Sequence, residues 1–196
     1  QLTEGSRQCI LDAMDIHGGK AVIQGPNNYL AHSYQAMPIS ITVEGANILT
    51  RSLIIFGQGA IRAHPCLLKE MNAVTGIANS KARRNFDNAL FTHIGYTMSN
   101  TVRSLLLGLT GAMMVPAPVR GPHAKYFRQL SRMSAAFAFM ADSVLVILGG
   151  KFKFKEKLSG RLADVLIHLY MASAMLKRFE DDGRPASDLP LLTWGM

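Results

Sequence analysis

The chain has 196 residues, 21 Lys and Arg against 13 Asp and Glu, and a formal net charge of +8, with 48% apolar residues. That apolar share excludes a disordered polyelectrolyte and fits a folded chain with a sizeable core or much interface. Two scattered cysteines, Cys9 and Cys66, exclude a disulfide framework and a cysteine-based metal site, and read as free thiols.

The charge is uneven along the chain. Residues 1–80 are neutral, residues 81–178 carry a net +11 and residues 179–196 a net −3. A neutral first part and a basic second part point to two regions with different tasks. No zinc-finger, helix-turn-helix or RNA-binding signature accompanies the basic half, and its one dense run, Lys151, Lys153, Lys155 and Lys157, lies between seams that read as packing surfaces, so nucleic acid is not expected as a partner.

In chain order, a helical pattern through Ile10, Leu11 and Met14 stops at Gly18-Gly19, a pair that ends a helix and lets backbone approach a bulky ligand. A loop, Gln24-Gly25-Pro26-Asn27-Asn28-Tyr29, follows. Then comes the apolar run Ile39-Ser40-Ile41-Thr42-Val43, broken by Glu44-Gly45 and continued by a helical pattern. Two readings of Glu44 stand side by side. With Thr42 as N-cap, Glu44 is a first-turn glutamate favoured by the helix dipole. Held instead among Ile39, Ile41, Val43, Ile48 and Leu49, it loses water, its proton affinity rises, and it suits the removal of a weakly acidic C–H proton.

Farther on, Phe86, Leu90, Ile94, Met98, Val102, Leu105 and Leu109 form a helical seam expected to pack against other helices. Two more seams run through Tyr126, Leu130, Met133, Phe137, Met140, Val144 and Ile147, and through Leu158, Leu162, Val165, Leu169, Ala172, Leu176 and Phe179. Gly149-Gly150 separates them, and Gly183 with Pro185 ends the second. No useful strand alternation occurs, so the fold class is all-α, a helical bundle. Residues 104–119 are uncharged, flanked by Arg103 and Arg120, and interrupted by two glycines and two prolines. At 16 residues the stretch is short for a membrane span; it reads either as a buried helix end with a Pro-rich turn or as a loop at a bilayer interface, held by Lys125, Arg128, Arg132 and the Lys151–Lys155 run. The six histidines show neither an i,i+4 pair nor a His-Glu-x-x-His pattern, and no metal site is expected from them.

The succession of a Gly-Gly turn, a loop and a Glu-Gly helix start over residues 1 to about 62 resembles the C-terminal region of the acyl-CoA dehydrogenases, within them the bacterial long-chain branch with its C-terminal extension. The resemblance implies a C-terminal α-domain end over 1–62 and a basic helical extension over 63–196. Asp15, Gly18 and Gly19 stand where the family's Gln-x-x-Gly-Gly motif touches the adenylate half of FAD, bound mainly to a neighbouring subunit, with Asp15 replacing the usual glutamine. Glu44 stands at the catalytic base of a Glu-Gly-Thr motif, Gly45 beside the substrate thioester, Ala46 in place of the threonine, and Ile48 at a flavin-contacting position; Arg51 matches an arginine that closes the motif.

The function implied is oxidation of a medium- or long-chain fatty acyl-CoA to trans-2-enoyl-CoA in fatty acid β-oxidation. FAD is the implied cofactor, electron-transfer flavoprotein or a similar carrier the acceptor, and a homo-oligomer the implied assembly. The chain is expected to be a piece of a longer enzyme whose N-terminal domains supply most flavin contacts, inactive alone, cytoplasmic or peripheral on the inner membrane. A non-catalytic helical docking or membrane-association module built on the same scaffold is the alternative.

Overall fold

The computed structural model describes residues 2–43, 45–75 and 80–196. Among them there is no strand: ten α-helices are joined by one π-helical and two 3₁₀ segments, and the all-α expectation holds. The chain divides into two compact units, residues 1–50 and 51–196.

In the first unit, α1 (Leu2–His17) ends where the sequence places its stop. Gly18 takes φ 57°, a left-handed turn that glycine adopts without a Cβ penalty, and its N–H reaches the Met14 and Asp15 carbonyls. A short α2 (Gly19–Val22) and α3 (Tyr29–Thr42) follow, with α3 lying along α1. Asn28 secures that loop. Its Oδ1 accepts from the Leu30 and Ala31 amides as the N-cap of α3, while its Nδ2 donates to the Ala21 and Ile23 carbonyls. Thr42, read as an N-cap from the sequence, instead closes α3. Its hydroxyl donates back to the Pro38 carbonyl, and the chain leaves the helix at Val43. The next helix, α4 (Asn47–Leu49), is capped by Ala46, whose methyl can accept no hydrogen bond. Asn47 Nδ2 donates to Thr3 Oγ1 and Glu4 Oε1, fixing α4 at the N-terminal end of α1.

The second unit begins within the π-helical segment Thr50–Gln58, continues through α5 (Gly59–Ala63) and α6 (Leu67–Thr75), and then builds three long helices: α7 (Ser80–Leu109), α8 (Ala124–Leu148) and α9 (Glu156–Asp181). A 3₁₀ turn, Gly149–Phe154, joins α8 to α9, and α10 (Leu189–Gly195) folds back on α9. Phe56 inserts between α8 and α9 and meets Phe137 and Phe152 edge to face, at ring-centroid distances of 5.8 and 5.6 Å, over Ala141, Leu162 and Ala163. A second core of Leu176, Phe179 and Leu192 closes the far end of α9. Arg51 forms a bidentate pair with Asp164 across Gly160, where a Cβ would sit 3.2 Å from the guanidinium. Hydrogen bonding to Arg51 holds the Asp164 carboxyl below its ordinary range.

The seam of α9 packs as its spacing predicts, with Leu162, Leu176 and Phe179 buried. The seam of α8 is split: Leu130, Phe137 and Val144 turn toward the cores, whereas Met133, Met140 and Ile147 face outward. The α7 expectation is overturned. Leu90, Ile94, Met98, Val102, Leu105 and Leu109 are exposed, and α7 turns inward Ala89, His93, Tyr96, Thr97, Asn100 and Leu107. The physical reason is pairing: the polar groups on that face meet a carboxylate on α6 and another on α8, so burial favours them over the apolar row. Leu162→Ala is therefore expected to cost about 2–5 kcal/mol in urea unfolding, whereas Val102→Lys on the exposed row shifts stability by about 0.5 kcal/mol or less.

Candidate functional site

Glu44 lies outside the described residues. Its neighbour Gly45 has φ 105°, a conformation open to glycine and strained for other residues, with the Thr50 hydroxyl 3.6 Å from where a Cβ would stand. Ala46 and Ile48 follow at the start of α4, Ile48 largely exposed. Of the apolar residues read as surrounding Glu44, Ile39, Val43, Ile48 and Leu49 are exposed within this chain.

Asp15, Gly18 and Gly19 sit at the other end of α1. With Asn47 bonded to Thr3 and Glu4, the two groups of residues are separated by nearly the whole helix, roughly 20 Å at 1.5 Å per residue. The structure therefore does not bring them into one pocket. The Gly18-Gly19 turn presents bare backbone, with no atom within 4 Å of a Cβ added at either position. Beside it, the exposed Asp15 carboxylate offers only acceptor atoms. That set fits ribose hydroxyls or the amino group of an adenylate, and disfavours a phosphate next to Asp15. His17, at the same end, shares a 3.1 Å hydrogen bond with the Tyr29 hydroxyl, and its ring meets the Tyr29 ring edge-on.

In the second unit the structure assembles a buried polar cluster that the sequence did not disclose. Its centre is Asp142 on α8, 1% exposed. One carboxylate oxygen accepts from His64 Nε2 at 2.8 Å, and the other accepts from Thr97 Oγ1 at 2.8 Å. His64 joins two helices. Its backbone N–H bonds to the Ala60 carbonyl as the C-cap of α5, while its ring Nδ1 accepts from the Cys66 and Leu67 amides, both at 3.2 Å, at the start of α6. Because Nδ1 is the acceptor, the ring proton resides on Nε2 and points at Asp142.

His93 on α7 lies against the same group. Its Nδ1 donates to Glu70 Oε1 at 2.8 Å, its Nε2 stands 3.7 Å from Asp142 Oδ1, and its ring is 4.7 Å from that of His64. Tyr96 packs edge-on against His64. Two carboxylates, two imidazoles and one hydroxyl thus tie the α5–α6 junction, α7 and α8 together. Nearby Cys66 is buried, and desolvation, reinforced by the negative charges of Glu70 and Asp142, pushes its thiol up, so it stays protonated at neutral pH; Cys9 is exposed.

No local motif announces this cluster. His64, Glu70, His93, Thr97 and Asp142 are spread over 79 positions of the sequence, and only the i,i+4 spacing of His93 and Thr97 is regular. One signal was available: Asp142 is the sole charged residue in the apolar stretch from Met133 to Gly150, and a lone carboxylate there demands a partner.

Asp142→Ala leaves the His64 N–H and the Thr97 hydroxyl without an acceptor, and is expected to destabilise the second unit by about 3–5 kcal/mol. Thr97→Val removes one donor and is expected to cost about 1–2 kcal/mol. Denaturant titration of the two variants checks the order; equal or negligible losses would show that the carboxylate is not held as described.

Comparison with known proteins adds one finding. A family model described as acyl-CoA dehydrogenase, C-terminal, bacterial type matches residues 61–196, well over half of the chain and the whole of the His64–Asp142 cluster. No solved structure matches the chain. By the family match, the chain belongs to the acyl-CoA dehydrogenase family, in its bacterial-type C-terminal region.

Proposed function

We propose that this chain forms the C-terminal helical region of an FAD-dependent acyl-CoA dehydrogenase that oxidises medium- or long-chain fatty acyl-CoA to trans-2-enoyl-CoA, with Glu44 as the base. The observation that carries this reading is the family match over residues 61–196, which begins 16 positions after Gly45. Gly45 at φ 105° supports it, since a backbone turn of this kind, adopted without strain only by glycine, suits the place beside a thioester where a backbone N–H can donate to the carbonyl and polarise the α-carbon.

Glu44 takes the α-proton. FAD, when bound, supplies the acceptor for the β-hydrogen as hydride. A carboxylate does this work best when dry, and Ile39, Val43, Ile48 and Leu49, exposed in this chain, offer the apolar surface that further protein would cover. The distance between the Gly45 turn and the Gly18-Gly19 turn fits two separate tasks. Gly45 serves substrate, while Asp15, Gly18 and Gly19 hold the adenylate part of a flavin belonging mainly to a neighbouring subunit. A homo-oligomer follows from that division, as does an electron carrier of the electron-transfer flavoprotein type to reoxidise the cofactor.

In the complete enzyme, Glu44→Gln is expected to leave flavin binding unchanged and to reduce acyl-CoA-driven bleaching of the flavin absorbance by at least about 10³-fold. Bleaching at the wild-type rate would remove Glu44 from the chemistry and favour a non-catalytic docking role.

A cytoplasmic enzyme touching the inner membrane is a second reading of location, favoured by one observation. Leu105, Leu106, Leu109, Met113 and Met114 are all exposed around the C-terminal end of α7, between Arg103 and Arg120. Apolar side chains flanked by cations suit the interface of an anionic bilayer. Flotation with vesicles containing anionic lipid is expected at low salt and to be lost on Leu109→Glu with Met113→Glu; no flotation of the unaltered chain would defeat the idea.

A further inference from the structure

We infer that His64, His93 and Asp142 form a binding site for a divalent transition-metal ion of the Zn²⁺ type, which clips the α5–α6 junction, α7 and α8 together. This inference is independent of the dehydrogenase reading. One ring nitrogen from each histidine and one carboxylate oxygen lie within 4.8 Å of one another. The His64–Asp142 pair stands at 2.8 Å and the His93–Asp142 pair at 3.7 Å. Two ligands of a tetrahedral ion at about 2.1 Å stand roughly 3.4 Å apart, so the three donors need only small shifts to converge on one ion. Two imidazoles and a carboxylate are a donor set for Zn²⁺, Co²⁺ or Ni²⁺ rather than Mg²⁺ or Ca²⁺, and three protein ligands leave a fourth position for water.

The surroundings have the form of a metal site's outer layer. His93 Nδ1 bonds to Glu70, which turns its Nε2 toward Asp142, and Thr97 holds the second oxygen of Asp142. At 3.7 Å, His93 Nε2 and Asp142 Oδ1 stand too far apart to hydrogen-bond each other, a separation that a cation ligated by both atoms would bridge. The local charge gives the same answer, since Asp142 and Glu70 place two carboxylates inside the helix packing with no Lys or Arg bonded to either among the described residues.

One contact opposes coordination. His64 accepts the Cys66 and Leu67 amides on Nδ1, so binding through Nε2 requires the ring proton to pass from Nε2 to Nδ1 and surrenders those two bonds. At 3.2 Å each they are long, and a metal–imidazole bond outweighs them. His64 also lines a cavity of about 280 Å³ with Ala63, Pro65, Tyr96 and Phe137, on one side of the cluster.

The test uses the full chain, stripped with chelator and titrated with Zn²⁺ and Co²⁺. Binding of one Zn²⁺ per chain at micromolar or lower Kd is expected, with a rise in the unfolding midpoint and a visible Co²⁺ band of four- or five-coordinate ligation. His93→Gln, at the edge of the cluster, is expected to weaken Zn²⁺ binding at least 100-fold, as is Asp142→Asn. His168→Ala, on the exposed face of α9, leaves it unchanged. Circular dichroism of each variant separates loss of a ligand from loss of the fold. Should Asp142→Asn unfold, the His93→Gln titration and the wild-type Co²⁺ spectrum decide. No Zn²⁺ binding below millimolar concentration, or binding unmoved by His93→Gln, overturns the inference; so does a preference for Mg²⁺ over Zn²⁺.

Discussion

A carboxylate buried among helices cannot be left alone, and Asp142 organises the second unit around that requirement. A charge so placed loses the solvation of water, and only hydrogen bonds or a cation restore it. Three chain segments supply what it needs: the imidazole at the α5–α6 junction, a hydroxyl on α7, and a second imidazole on α7 that is itself held from α6. These contacts decide which way α7 faces. A helix whose apolar row would ordinarily turn inward presents its histidine, tyrosine, threonine and asparagine to the interior and leaves Ile94, Met98 and Val102 outside.

The consequence for the molecule is a large exposed apolar area. In the second unit it runs along α7 to Leu109 and Met113; in the first, Ile16, Val22, Ile23, Ile39 and Val43 are exposed on elements that bury few side chains of their own. Exposed apolar surfaces of this kind serve contact with other protein or with lipid. The chain contains the bacterial-type C-terminal region of the acyl-CoA dehydrogenase family, and under the proposed function the rest of such an enzyme would cover these faces.

The two units differ in what they expose and bury. Near the start of the chain, Gly18 and Gly45 both adopt positive φ, at opposite ends of α1; open space surrounds Gly18, while the Thr50 hydroxyl lies beside Gly45. In the second unit, long helices bury a polar cluster in the region that the family model covers. The Phe56 insertion between α8 and α9 and the Arg51–Asp164 pair give that unit its packing at the other side of α8 and α9.

Much was legible from local pattern. The stop at Gly18-Gly19, the seam of α9 and the helical class follow from backbone preference and periodicity, which act over a few residues and leave their mark in the order of the chain. Thr42 shows the limit of that logic: a threonine before an acidic residue can begin a helix or end one, and the Pro38 carbonyl decided for the end. The Asp142 cluster lay beyond reach for a different reason. Its members come from α8, α7, α6 and the α5–α6 junction, and nothing in their spacing specifies that they meet. The sequence by itself determined that Asp142 stands alone in an apolar stretch and that a partner is required; only the tertiary structure decided that His64, Thr97 and His93 are the partners, because pairing across helices depends on which faces pack together rather than on neighbours along the chain.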